Sequence, residues 1–204
     1  MARRTKDQAE KTRSAILDAA EREFYGHGVA RTSLEEIAHA AGVTRGAVYW
    51  HFKDKIELCE AMMQRVFLPQ EDILKRLAAR QGSTPLADLQ KACGDALRLI
   101  VRDRHRWHVL AILTHRCEYV EDMAVIMARR RQCKEHMLSQ SRTLFERAKK
   151  LRQLAAGWSP RTAALGLQAM MSGLIVGAME GRKNFRLDKE GVACIDAFFR
   201  SLRC

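Results

Sequence analysis

The stretch TSLEEIAHAAGVTRGAVYWHFKDKIEL, residues 32–58, decides how this chain is read. Ser33 stands three residues before Glu36, a spacing in which the hydroxyl accepts a backbone N–H at a helix start and the carboxylate reaches back. Leu34, Ile37, Ala38 and Ala41 follow at helical spacing, so one face is apolar. Gly42 stands where that helix must stop, and without a Cβ it enters the left-handed conformation of a tight turn. Val43 is expected to be a buried turn residue. Thr44 is expected to cap a second short helix over Arg45–Trp50, with a third helix starting near Asp54. Two helices, a tight turn and a further helix predict a helix-turn-helix.

In that motif the first residues of the second helix meet base edges in the major groove. Here they are Thr44, Arg45, Gly46 and Ala47. Arg45 offers a bidentate donor pair to guanine, a contact worth ~1–3 kcal/mol of discrimination. Gly46 and Ala47 are small enough to let the backbone sit deep in the groove. Tyr49, His51 and Lys55 are donors suited to phosphate, and the helix beginning near Asp54 presents the positive end of its dipole. Thr32, Ser33 and Trp50 complete the expected DNA-contacting set. Ile37, Ala38, Val43, Val48 and Phe52 are expected core.

The pattern T-x4-IA-x2-AGVT-x-GAVY-x-HF-x2-K-x2-L, from Thr32 to Leu58, resembles the N-terminal signature of the TetR family of bacterial transcriptional regulators. The preceding KTRSAILDAAEREFYGHGVART resembles the family's first helix and its Gly-containing exit. The variant GAVYWHFKDK is similar to the AcrR-type branch, repressors of multidrug efflux operons. Trp107–Leu113, His115–Tyr119 and Met123–Val125 resemble the ligand domain of that branch more weakly. The resemblance implies an all-α protein: a three-helix DNA-binding domain over residues 1–55 and a helical ligand-binding and dimerisation domain over 56–204. It also implies a dimer formed by the last two helices, a hydrophobic inducer and a cytoplasmic location. A regulator of metabolic or stress genes, sensing a metabolite, redox or metal signal, is the alternative.

Composition agrees with an all-helical chain: three Pro in 204 residues and long stretches rich in Ala, Leu, Arg, Glu, Lys and Met. The net charge of +12 is not concentrated in the reader. Residues 1–55 carry ten Lys/Arg against eight Asp/Glu, and the other 149 carry 26 against 16. Arg3, Arg4, Lys6, Lys11 and Arg13 are expected to form a flexible basic arm reaching the minor groove or backbone. Six Cys without a CxxC point to free thiols. The N-terminus has no apolar segment of signal-peptide type.

Further helices are expected from about Asp54 to Leu77, with a kink or break at Pro69, then at about 85–102, 103–115, 120–154, 160–180 and 189–202. The apolar stretch 164–179 is short of the ~20 residues a bilayer crossing needs, so no membrane partner is expected. Gly173, Gly177 and Gly181, four apart, give it a flat face. With the last helix it suits a four-helix interface between two chains. Leu167, Met170, Gly173, Leu174, Gly177, Ile195, Phe198 and Phe199 are the expected dimer residues. Helix-turn-helix dimers read half-sites ~34–36 Å apart, so a near-palindromic operator follows.

Met62, Met63, Phe67, Leu97, Ile100, Trp107, Leu110 and Met123 are the expected ligand-binding residues, since adaptable Met and aromatic side chains suit varied hydrophobic molecules. His105, His108 and His115 fall roughly on one helix face near Cys117, but Arg104, Arg106 and Arg116 crowd it and would repel a cation. No metal site and no cofactor are expected. A Gly-rich phosphate loop, H-E-x-x-H and G-x-S-x-G are all missing from the sequence, which speaks against an enzyme.

Overall fold

The computed structural model describes residues 2–116, 124–181 and 185–203, with side chains from Lys6 onward. Its regular elements are all helices: α1 (Ala2–His27), α2 (Leu34–Ala41), α3 (Arg45–His51), α4 (Lys55–Ala79), α5 (Pro85–Arg102), α6 (Arg104–Ala111), α7 (Ala124–Lys150), α8 (Pro160–Met179) and α9 (Val192–Ser201). Single π-helical turns, Ile112–Arg116 and Leu187–Gly191, follow α6 and precede α9.

The chain divides into two compact units. The first comprises Met1–Val66 with His105–Arg129, and the second comprises Phe67–Arg104 with Arg130–Cys204. In the first unit α1 buries Ile16, Leu17, Ala20 and Phe24 completely. Gly28 ends it at φ +87°, a conformation open to glycine, and its N–H donates to Phe24 O at 3.0 Å. The core continues through Ile37, Val48, Phe52, Leu58 and Met63. The helix begins at Ala2, because Ala, Arg and Lys before Gln8 are good helix formers and nothing breaks them.

A buried carboxylate ties α6 to α1. Glu21 lies among the core residues of α1, and its two oxygens meet His105 Nδ1 at 2.7 Å and His108 Nδ1 at 2.8 Å. A carboxylate accepts, so each ring presents Nδ1–H to it. Tyr25, one turn on, stacks on His108 with ring centroids 4.1 Å apart. The Val29 N–H donates to Arg116 O at 3.2 Å, and Arg106 Nη1 donates to Val66 O at 2.8 Å.

In the second unit α5 packs on α9. Leu86, Leu89, Leu97 and Ile100 are buried on α5, Ile195 and Phe199 on α9. Gln90 Nε2 donates to Asp196 Oδ1 at 2.6 Å, and Phe145 of α7 stacks on Phe199. The Arg147 guanidinium of α7 donates to the carbonyls of Leu77, Ala78 and Arg80, closing the end of α4. Ser159 caps α8 and exchanges bonds with Thr162. Pro160–Met179 is long and apolar enough to cross a membrane by length and composition, and only 22% of its most apolar window is buried inside the chain.

Several boundaries differ from expectation, three of them with a local cause. Helix α4 runs unbroken through Pro69 to Ala79. An interior Pro costs ~3 kcal/mol. Burial of Leu58, Met62 and Val66 before it, and of Leu74 after it, offsets that loss. Helix α6 passes into a π-helical turn at Ile112, where Thr114 Oγ1 donates back to Leu110 O at 2.7 Å. Helix α7 stops at Lys150, four residues early, as Arg152 turns to φ +56°.

Replacing Glu21 by Ala removes the acceptor for two ring N–H groups and should lower unfolding free energy by about 2–3 kcal/mol. Urea denaturation of the DNA-free protein measures this. A loss below ~0.5 kcal/mol would show that the pair adds nothing net.

Candidate DNA-reading interface

Two capped helices and a glycine turn set the geometry. Ser33 N–H donates to Glu36 Oε2 at 2.7 Å, and Glu36 N–H donates to Ser33 Oγ at 3.2 Å, so the expected capping box is formed. Those bonds from Ser33 hold the Glu36 carboxyl below its usual pKa. Gly42 sits at φ +66°, and its N–H and that of Val43 return to the carbonyls of His39 and Ala38. Thr44 caps α3, its Oγ1 accepting from Ala47 N–H at 3.1 Å. Val48 and Phe52 are buried, and Val43 and Ala47 are half-buried. The opposite side of α3 is left open.

That open side carries Thr44, Arg45, Gly46, Tyr49 and Trp50, with Trp50 73% exposed. Arg45 folds over its neighbour one turn on, its guanidinium carbon 5.5 Å from the Tyr49 ring centroid and its Nη2 donating to Tyr49 Oη at 3.5 Å. The hydrogen bond to Tyr49 raises the Arg45 pKa, so the residue stays charged. A Cβ placed at Gly46 meets nothing nearer than Thr44 Oγ1 at 3.9 Å. Nothing inside the described chain therefore requires glycine there. His51 is half-buried, and burial first, then the nearby Arg13 charge, hold its imidazole below the usual pKa.

Other expected contact residues are engaged within the protein. Thr32 is 2% exposed, and its hydroxyl donates to Gly28 O at 2.8 Å. Lys55 Nζ donates to Val29 O at 2.8 Å and Ala30 O at 3.2 Å, clamping the loop after α1. The first turn of α4 is capped from within: Asp54 Oδ1 accepts from Glu57 N–H at 2.9 Å, and Glu57 Oε2 accepts from Lys53 N–H at 2.7 Å. Lys53 is exposed on that loop and was not among the expected residues. Sequence spacing cannot tell which of two nearby lysines is held inward. Lys6, Lys11 and Arg13 stand on α1 itself instead of on a separate arm, and the Arg13 guanidinium lies 5.0 Å from the Phe52 ring centroid. The side chains of Arg3 and Arg4 lie outside the described residues.

The expected ligand residues divide between the units. Met62 and Met63 are buried in the first, where Trp107 and Leu110 are half-buried. Phe67, Leu97 and Ile100 belong to the second. Met123 lies outside the described residues. Of the expected dimer residues, Leu167, Gly177, Ile195, Phe198 and Phe199 are buried within their own chain, Met170 and Leu174 are half-buried, and Gly173 is exposed. The open apolar positions are Leu165, Ala169 and Gly173 on α8, with Ala193, Cys194 and Ala197 on α9. The i, i+4, i+8 spacing on α8 was the signal available for them.

Among the described residues no group of three His, Cys, Asp or Glu could hold a metal ion, and Cys117 lies outside them. Cys59, Cys93 and Cys133 are buried and Cys194 is exposed; burial pushes the Cys93 thiol up to about 12. Cys204 is also outside the described residues.

A short, doubly capped helix that turns small and donor-bearing side chains to solvent defines a helix-turn-helix DNA-binding protein. Residues 16–62 match the bacterial regulatory proteins of the tetR family, and residues 84–204 match the C-terminal region of MAATS-type transcriptional repressors. The chain belongs to the TetR family. It is 39% identical to the HTH-type transcriptional repressor BepR of Brucella suis biovar 1, over 98% of this chain and 96% of that protein. Among solved structures it is similar to NalD, the secondary repressor of the MexAB-OprM multidrug efflux pump in Pseudomonas aeruginosa. That match has 36% identity and a TM-score of 0.85, covering 97% of this chain and 98% of that one. It is also similar to SmeT in complex with triclosan, at 34% identity and TM-score 0.87, covering 95% and 92%.

The room at Gly46 separates fold from function. Gly46→Ala should raise stability by up to ~1 kcal/mol through helix propensity. It should weaken operator binding at least roughly tenfold by holding the helix off the groove floor. Thermal unfolding and fluorescence anisotropy measure the two. Unchanged affinity would show that α3 does not approach DNA at this residue. Lys53→Ala should weaken binding to all DNA and lower the salt slope by ~0.9 without changing stability. Lys55→Ala frees the loop after α1, so it should lower the melting temperature and, through the loosened head, weaken binding to all sequences.

Proposed function

We propose that this protein is a ligand-responsive transcriptional repressor. It binds a near-palindromic operator as a homodimer, controls a multidrug efflux operon and is released by hydrophobic drug-like molecules. The observation that carries this reading is near full-length similarity to NalD and SmeT, one named for repression of an efflux pump and the other solved with triclosan. Residues 1–55 serve as the DNA reader, and 56–204 take the inducer and form the dimer. Arg45 reads a guanine. Tyr49, His51 and Lys53 hold phosphates, while Lys55 holds the loop after α1 beneath them. The protein works in the cytoplasm and as a regulator, not an enzyme.

The open apolar face of α8 supports the dimer. Water-exposed apolar surface is unfavourable by ~25 cal/mol per Å². A second copy laid along Leu165, Ala169 and Gly173 removes that surface from water, and the small residues permit close backbone approach. Release is a population shift: the inducer must bind better to the form that fits the operator poorly.

Arg45→Ala should reduce specific affinity by ~1–3 kcal/mol and relax preference at one base pair per half-site, read by binding to a panel of operator variants. Equal losses on all variants would remove Arg45 from base reading. Ala169→Arg should give a folded monomer by light scattering and circular dichroism, with operator affinity reduced a hundredfold or more. A variant that remains dimeric would move the interface elsewhere.

A further inference from the structure

The stretch Gly28–Thr32, between α1 and α2, is held by bonds from three directions. Gly28 N–H donates to Phe24 O of α1 at 3.0 Å, and Val29 N–H donates at 3.2 Å to Arg116 O, in the π-helical turn after α6. Lys55 Nζ, at the start of α4, donates to Val29 O at 2.8 Å and to Ala30 O at 3.2 Å. Thr32 Oγ1 closes the turn on Gly28 O at 2.8 Å. Val29 and Thr32 are buried, and Arg31 between them is exposed. The loop therefore fixes the backbone of one long cationic side chain and leaves that side chain in solvent.

The cations around this loop divide into two kinds. Between residues 20 and 66, Arg22 donates to Ala40 O, Lys55 to the loop itself, and Arg65 to Asp18 and Ser14. Arg45 lies over Tyr49. Arg31 and Lys53 are exposed, and their side chains meet no partner among the described residues. The acidic groups nearby are directed at helix ends instead. Glu36 accepts from Ser33 N–H, Glu57 from Lys53 N–H, and Asp54 from Glu57 N–H. Lys55 stands two residues after Lys53 and binds the carbonyl next to Arg31, so its clamp joins the two loops that carry the exposed cations. Helix α2 begins at Leu34, so this junction borders the helix pair that presents α3. A guanidinium on a fixed backbone suits a phosphate: its planar fork donates twice, and little ordering remains to be done on binding.

We propose that Arg31 is a phosphate anchor of the reading head, gripping the DNA backbone beside the half-site without reading bases, and that Lys55 is its positioning residue. Lys55 acts through the loop, because its ammonium holds the carbonyls that precede Arg31. The occupant is the same double-stranded DNA that α3 reads, since the surface is continuous with that helix pair and opposite to DNA in charge. This inference rests on the DNA-reading function proposed above and adds a contact and the residue that sets it.

The test uses the full-length protein and two labelled duplexes, one selected by wild type from a random pool and one a scrambled control, followed by anisotropy over a range of salt. Arg31→Ala should weaken binding to both duplexes about tenfold and lower the salt slope by ~0.9 for each subunit engaged. Its melting temperature should stay at the wild-type value, because an exposed side chain without a partner is lost. Arg31→Lys keeps the charge, so it should keep the slope and lose less than about threefold. Lys55→Met keeps the apolar stem and removes the ammonium. Measured well below each melting temperature, it should weaken the wild-type chain about fivefold but the Arg31→Ala chain less than about twofold. Unchanged affinity and slope in Arg31→Ala overturn the anchor. A loss confined to the selected duplex at unchanged slope also overturns it and makes Arg31 a base reader. Lower melting of Arg31→Ala, with affinity that Arg31→Lys does not restore, makes it a structural residue only. Equal losses from Lys55→Met with and without Arg31 overturn the positioning role. If wild type binds neither duplex, the DNA-reading function itself fails, and this inference with it.

Discussion

The reading helix α3 has seven residues, too few to hold its shape alone in water. What makes it a helix is the burial of Val48, with Phe52 just beyond its end, against α1 and α2. Those two side chains fix its rotation, and rotation decides which residues face outward. Once Val48 is inward, Arg45, Gly46, Tyr49 and Trp50 have no place except solvent. Core packing and DNA reading are thus two sides of one constraint. A substitution that re-aims Val48 would disturb the reader without touching a DNA-facing residue.

The same packing sorts the polar groups near the reader. Thr32, Ser33, Asp54, Glu57 and Lys55 spend their hydrogen bonds on loop and helix ends. These bonds hold the two turns that flank the helix pair. Arg45 is left with one long contact to Tyr49, at 3.5 Å, which a base edge can replace at little cost. The groups that hold the scaffold are rigid before DNA arrives, and those that meet DNA keep their freedom until then. Affinity gains from such preorganisation because less ordering remains to be done on binding.

The sequence revealed most of this head because its signals are local. Ser33 with Glu36, Gly42 and Thr44 each dictate a bond or backbone conformation within four residues, and each is found in place. The inward face of α1 follows from helical period alone. Longer-range bonds were not legible. Nothing near Lys55 in sequence announces that the carbonyls of Val29 and Ala30 will take its ammonium. Glu21 lies 84 and 87 residues from its two histidines, so the histidines were weighed as metal donors when their partner is a carboxylate of α1. On α8 and α9 the apolar pattern marked the helices correctly but could not separate the face used inside the chain from the one left open. Phe198 and Phe199 went inward, and the small residues Ala169, Gly173 and Ala197 stayed outside. Large side chains gain more from burial in their own core, which leaves the small ones to the surface.

Release by a ligand, as proposed above, sets an energetic demand on the inducer. Binding shifts the population only if the operator-bound form receives the ligand less well. To move such an equilibrium from 1:99 to 99:1 requires ~10⁴-fold discrimination, about 5.5 kcal/mol. Hydrogen bonding to one charged group supplies ~1.5–3 kcal/mol of that. The remainder must come from apolar contact, so hydrophobic area does most of the switching in a protein of this kind.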